Sequence, residues 1–171
     1  MLLVLVKLSN EYRTHLNEMM DEWFLAKEKI VPYSIRRIDY KDFEKYLQGF
    51  EEEEHGVPGF VPATTFFGLD TERNIFIGAV NIRHHLNESL LLNGGHIGDG
   101  VRPSERRKGY ATKMIALALD ECRKLGIDRV LMVCDKSNIG SAKSIINNGG
   151  VLENEIEIDG NVEQRYWISL I

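Results

Sequence analysis

Apolar residues open the chain as one run, Met1 to Val6, and then change rhythm. From Tyr12 they recur at three- and four-residue steps through Leu16, Met19, Met20 and Trp23, the spacing of one helical face. The opening run predicts a strand over residues 1–7, with Ser9 or Asn10 capping a helix that reaches about Lys29 before Pro32 stops it. Asp39 is expected to cap a second helix whose apolar face is Phe43, Tyr46, Leu47 and Phe50. Residues 51–54, four consecutive glutamates, are expected to be its solvated end, and residues 55–59 a loop.

The rhythm then becomes strand-like. Residues 64–69 and 74–83 flank a short polar connection at 70–73, the pattern of a hairpin. Residues 95–102 form a third, glycine-rich candidate strand. The clearest helix covers 109–125, with Ala111, Met114, Ile115, Ala118, Cys122 and Leu125 on one face and Gly126 as its stop. A β-branched strand at 127–134 and a short helix at 138–147 follow. The strands at 151–158 and 164–168 are joined at Asp159-Gly160, a hairpin signal. The order β-α-α-β-β-β-α-β-α-β-β predicts an α/β (α+β) fold: one mixed sheet with helices on both faces, in a single domain over residues 1–171.

Composition narrows the function more than the fold. With 21 basic and 26 acidic residues the net charge is −5, which argues against general nucleic-acid affinity, so any phosphate site must be local. The opening apolar run is too short for a signal-peptide core or a membrane span. Cys122 and Cys134 each sit inside an apolar segment and are expected to be buried thiols of a cytoplasmic protein. His84-His85 has no carboxylate or cysteine at supporting spacing, so no metal site is expected.

Against this acidic background, Glu105-Arg106-Arg107-Lys108-Gly109-Tyr110-Ala111-Thr112 places three cations immediately before a helix. A helix N-terminus already carries partial positive charge, so the run is either a solvated turn or a site for an anion. Gly109 permits a backbone shape that a side chain would obstruct, and Ala111 keeps the first turn small. There is no P-loop motif, and Gly98-x-Gly100 is followed by Pro103 where a dinucleotide fingerprint needs its third glycine.

Arg106-x-x-Gly109-x-Ala111 resembles the segment by which GNAT-type N-acetyltransferases hold the pyrophosphate of acetyl-CoA, and residues 95–151 resemble that family's core. The resemblance implies a mostly antiparallel central sheet with two splayed strands, at 95–102 and 127–134, and a pantetheine arm lying between them. It implies that Arg106, Arg107, Lys108, Gly109, Tyr110, Ala111 and Thr112 cradle the pyrophosphate. Val101 would give backbone contacts to the pantetheine, and Asn138 would contact the same arm or order its loop, besides capping its helix. Gly98 and Gly100 mark either a close backbone approach or a tight bend.

The implied reaction is direct acyl transfer to a primary amine of a small molecule or peptide. Such an amine, with pKa near 10.4, is roughly 0.04% neutral at pH 7, so a base is needed. His96 is the favoured candidate and Asp99 the second. The family's tyrosine acid falls at Ile145, which leaves the general acid unassigned and keeps a non-catalytic acyl-CoA binder in view. Asn81, Arg83 and His84 are the candidate acceptor contacts, Arg83 through a carboxylate on the acceptor or else as a surface residue. Trp23, Tyr33 and Phe66 are candidates for the acceptor wall, with core packing the favoured role for Trp23, and dimerisation would run through the terminal strands.

Overall fold

The computed structural model describes residues 2–171; Met1, which the apolar run assigns to the first strand, lies outside them. Two sheets, antiparallel throughout, carry the fold. In the first, β1 (Leu3–Val6), β2 (Ala63–Asp70), β3 (Ile75–Arg83) and β4 (Ile97–Val101) pair in that order. In the second the order is β5 (Arg129–Asp135), β7 (Asn161–Ser169) and β6 (Val151–Ile158). They are joined through an isolated bridge between Gly95 and Met132.

Strand alternation, shifted once in β3 by the bulge opposite Gly68 and Leu69, divides the core in two. Ile82 and Val80 of β3 turn toward one side, where Met114, Ile115 and Ala118 of α5 (Tyr110–Lys124) and Ile145 of α6 (Ile139–Asn147) pack. Ala79 and Phe76 turn to the other, against Leu16, Met19, Met20 and Trp23 of α1 (Arg13–Leu25) and Phe43 and Tyr46 of α3 (Phe43–His55). Trp23 is fully buried there, so it is core and not acceptor wall, and Phe66 packs on the opposite side.

Local chemistry explains where the helices depart from the sequence pattern. α1 stops at Leu25 and not near Lys29, because Lys27 takes a left-handed conformation (φ 56°) that reverses the chain. The cap of α3 is Asp42, whose carboxylate accepts the Lys45 N–H; Asp39 instead accepts the Lys41 N–H in the preceding turn. Two short helices, α2 (Tyr33–Arg36) and α4 (Glu88–Leu92), have too few residues to show a period. Both border the site described next.

Candidate active site

His96 sits where the two sheets meet. Its backbone N–H donates to the Leu131 carbonyl at 2.8 Å, and its Nδ1 accepts the Leu131 N–H at 2.9 Å. The neutral ring therefore carries its proton on Nε2 and has no free lone pair. Burial, with the Arg83 cation adding, pushes the imidazole down to about 4. His96, expected as the base, ties β4 to β5 through these two bonds.

Beyond that pin β4 has an open edge. Arg83 N–H bonds to the His96 carbonyl, and Arg102 N–H to the Ile77 carbonyl. In an antiparallel ladder of that register, Ile97, Asp99 and Val101 turn their N–H and C=O groups away from β3. These groups face the space between β4 and β5, the place a pantetheine arm would need. The Val101 carbonyl is met there by Arg106 Nε at 3.1 Å. Gly98 and Gly100 serve the opposite face: a Cβ on Gly100 would lie 2.0 Å from the Val31 carbonyl oxygen, and one on Gly98 3.3 Å from Pro32. Their smallness admits the segment before α2, so close approach is the reason for both.

The basic turn leads into α5 as the sequence suggests, but its charges are unequal. Arg106 pairs with Glu28 at 2.7 Å, and Lys108 with the buried Glu105 at 3.2 Å. Arg107, itself left-handed at φ 62°, has no acidic partner among the described residues. Glu105 is clamped by Arg73 at 2.8 and 2.9 Å, and Arg73 also reaches the Tyr110 hydroxyl at 2.8 Å. Arg73 Nε also donates to Asp70 at 2.8 Å, and these Arg73 hydrogen bonds come first among the causes that hold Glu105 and Asp70 below the usual carboxylate range. Tyr110 is thus a buried brace that offers the turn its backbone only.

Gly109 caps α5 at φ 85° with no side-chain cap on the first N–H groups. A Cβ there would meet no protein atom within 4 Å, so the glycine answers to its positive φ and leaves the helix end open. Ala111 is half-buried beside it, and the Thr112 hydroxyl is taken by Ser144 at 3.2 Å. Uncapped N–H groups, an unpaired cation and free space fit a pyrophosphate. Asn138 caps α6 by accepting the Ser141 N–H at 3.1 Å, and its amide N–H₂ has no partner among the described residues. Ile145 is fully buried, packed on Gly150.

On the other face of β3 and β4 lies a pocket of about 350 Å³. Tyr33, Phe60, Val57 and Leu90 make its apolar wall, and Glu53 is the one carboxylate among its described lining residues. Glu53 accepts the Asn81 amide at 2.8 Å and the Thr65 hydroxyl at 2.9 Å, with Ser34 Oγ 3.0 Å from Thr65. Burial raises Glu53 above the usual carboxylate range, against the Thr65 bond, the Arg37 cation, the Asn81 bond and the Arg83 cation. Asn81 and Arg83, both expected as acceptor contacts, line this pocket. His84 does not; its Nε2 lies 2.8 Å from the Thr64 hydroxyl.

Gly98 separates pocket from cleft: it is the register partner of Asn81, and a Cβ on it would lie 3.4 Å from Arg83 Nη2. Asp99, next along β4, is half-buried, and burial raises its carboxyl to about 6. Glu53 is the residue that the sequence pattern misplaced. Its run of glutamates reads as a solvated end, yet Phe43, Tyr46, Phe50 and Glu53 continue one three-four-three spacing, which puts Glu53 on the inward face of α3.

Comparison with known proteins identifies the family. Residues 3–151 match the family model described as acetyltransferase (GNAT) domain. No curated protein matches the chain by sequence. Among solved structures, the ribosomal-protein-S5-alanine acetyltransferase of Vibrio fischeri superposes with a TM-score of 0.67 at 20% identity, over 98% of this chain and 91% of that one. The microcin C7 self-immunity acetyltransferase MccE, solved with acetyl-CoA and AMP, gives 0.68 at 17% identity over 98% and 92%. The spermidine/spermine N-acetyltransferase SpeG of Vibrio cholerae gives 0.64 at 18% over 98% and 95%. At these identities the structures speak to the fold, and the family model, spanning most of the chain, makes this protein a member of the GNAT acetyltransferases.

Proposed function

We propose that the protein transfers an acetyl group from acetyl-CoA to a primary amine that enters the pocket beside Glu53. The observation that carries this is one pocket carboxylate, Glu53, hydrogen-bonded to Asn81, the register partner of Gly98 on the strand whose other edge is unpaired. Acetyl-CoA supplies the activated acyl group as a thioester. The backbone N–H groups at the start of α5, together with Arg107, would hold its pyrophosphate. The free backbone groups of Ile97 and Asp99, with the Val101 N–H, would hold its pantetheine arm, and Asn138 would meet that arm through its free amide N–H₂.

Glu53 does the proton work on the acceptor side. An ammonium is inert until it loses a proton, and a carboxylate raised by burial is a better acceptor than an exposed one. As the amine nitrogen bonds to the acyl carbon and the carbon–sulfur bond breaks, the nitrogen sheds its second proton to solvent, giving the neutral amide, and the sulfur leaves as a thiolate. Asp99, with a carboxyl raised to about 6 on the strand bordering the cleft, is placed to return a proton there. Cys134, on the facing strand, is pushed up to about 11 by burial first, with the Asp99 charge among the contributors; it stays a thiol and is no competing nucleophile.

No helix of the described residues is long and apolar enough to cross a membrane, and Cys122 and Cys134 are both buried free thiols; a cytoplasmic setting is part of the proposal. The test is thiol release. Purified protein, acetyl-CoA and a panel of primary amines should liberate free coenzyme A and form an N-acetyl product by mass. Saturable acetyl-CoA binding with no release on any amine would leave a binding module in place of an enzyme.

A further inference from the structure

The acceptor pocket holds two guanidinium groups and one carboxylate: Arg37, Arg83 and Glu53. Neither arginine forms an ion pair among the described residues. Arg37 Nη2 donates to the Gly49 carbonyl at 2.7 Å. Arg83 Nη1 donates to the carbonyls of Gly94 and Gly95 at 3.1 and 3.4 Å, which fixes the plane of its fork. Its Nε and Nη2 have no acceptor among the described residues, and a planar fork with free donors matches a carboxylate.

We infer that the acceptor is a small zwitterion, an α-amino acid with an apolar or aromatic side chain, whose carboxylate is bound by Arg83 with Arg37 and whose amine faces Glu53. The inference rests on the pocket being the acceptor site. Charge decides against the simpler classes. A diamine or polyamine would bring at least two cations to a pocket already one positive charge in excess. A neutral-bodied monoamine would satisfy Glu53 and leave the Arg83 donors unmatched in a partly desolvated site.

Burial holds the Arg83 guanidinium below its ordinary value, and the Glu53 charge only partly offsets this; a bound anion would complete the compensation. Geometry points the same way. Arg83 Nη2 overlies Gly98, and in an α-amino acid the nitrogen and the carboxylate share one carbon. A carboxylate on Arg83 therefore brings the amine to the strand that borders the acyl cleft. The remaining substituent then lies toward Tyr33 and Phe60, whose rings stack with centroids 6.5 Å apart and planes 19° from parallel.

The test compares matched pairs. L-phenylalanine and L-leucine, with their decarboxylated counterparts 2-phenylethylamine and 3-methylbutylamine, are titrated calorimetrically into the protein and assayed for coenzyme A release with acetyl-CoA. Loss of a charged hydrogen-bonded contact should weaken the amines about ten- to a hundredfold relative to the amino acids. In Arg83→Gln that preference should collapse to within about threefold, a small fraction of one charged contact. The parent protein alone already decides the class, so a poorly folding variant does not blunt the test. Amines bound and acetylated as well as the amino acids would overturn the zwitterion while acetyl transfer stands. Amino-acid binding that depends on Arg83, with no release on any acceptor, would uphold the zwitterion and overturn the transfer. No binding and no acetylation of either amino acid would overturn the inference itself.

Discussion

Replacing His96 separates a pin from a base. In His96→Ala the Leu131 N–H, on a fully buried residue, loses its acceptor, a penalty of about 1–3 kcal/mol. Removing the ring from a site only 6% exposed adds a cavity loss of roughly similar size. For a chain of this length each kcal/mol lowers the melting temperature by about 2–4 °C, so a total loss of about 2–6 kcal/mol corresponds to a fall of roughly 4–24 °C. His96→Asn keeps an oxygen near the position of Nδ1 and should recover part of it.

The pH dependence carries a further signature. His96 titrates near 4 when folded against an ordinary 6.5. In that window the unfolded chain binds a proton that the folded chain excludes, so His96 lowers stability as pH falls, by up to about 3 kcal/mol. Asp99 works in the other direction. Raised from 3.8 to about 6, it keeps its proton in the folded chain, and its contribution is lost as pH rises through that window. The two slopes oppose each other in the parent. His96→Asn should therefore unmask the Asp99 slope, with its stability deficit shrinking on acidification. The assay is thermal and denaturant unfolding at several pH values, beside a pH–rate profile. Unchanged stability in His96→Ala, together with loss of a titrating limb of the rate profile, would refute the pin and restore the base.

Three other perturbations address the cradle and the pocket. Gly109→Ala meets no protein atom, so its cost to folding should be limited to the positive φ, about 1 kcal/mol, while acetyl-CoA affinity falls by more than that in calorimetry. Arg107→Ala should weaken acetyl-CoA binding more than Arg106→Ala or Lys108→Ala, because only Arg107 lacks an acidic partner among the described residues; equal losses in a titration series would contradict this. Thr65→Val removes a hydrogen bond that lowers the Glu53 carboxyl and should move the acidic limb of kcat/KM to higher pH.

Much of this fold was legible because its elements are long enough to show a period. The helix at 110–124 and the hairpins around residues 70–73 and 159–160 follow directly from spacing and turn residues. The basic turn was legible too, since a basic run ahead of a glycine-led helix gathers positive charge and open N–H groups in one place. Charge pairing was less so: Glu105 sits three residues before Lys108, but Glu28, which takes Arg106, lies far along the chain, and together they leave Arg107 without an acidic partner among the described residues. His96 misled because its residue type suits a base, while the partner that consumes its lone pair comes from a strand thirty-five positions on. Gly98 and Gly100 read equally as a close approach or a tight bend, because the segment that comes close is distant in the chain: the atom nearest a Cβ on Gly100 belongs to Val31. Glu53 was hidden by its exposed neighbours, although the helical spacing from Phe43 already pointed it inward.

The most direct test is steady-state acetylation by the parent and by Glu53→Gln, followed through free coenzyme A and N-acetyl product with the best acceptor from the amine and amino-acid panels. A lost base should lower turnover about 10²- to 10⁴-fold and remove the acidic limb of the rate profile, with acetyl-CoA affinity retained. Turnover in Glu53→Gln within a few-fold of the parent, with the limb intact, would contradict the placement of the chemistry in this pocket.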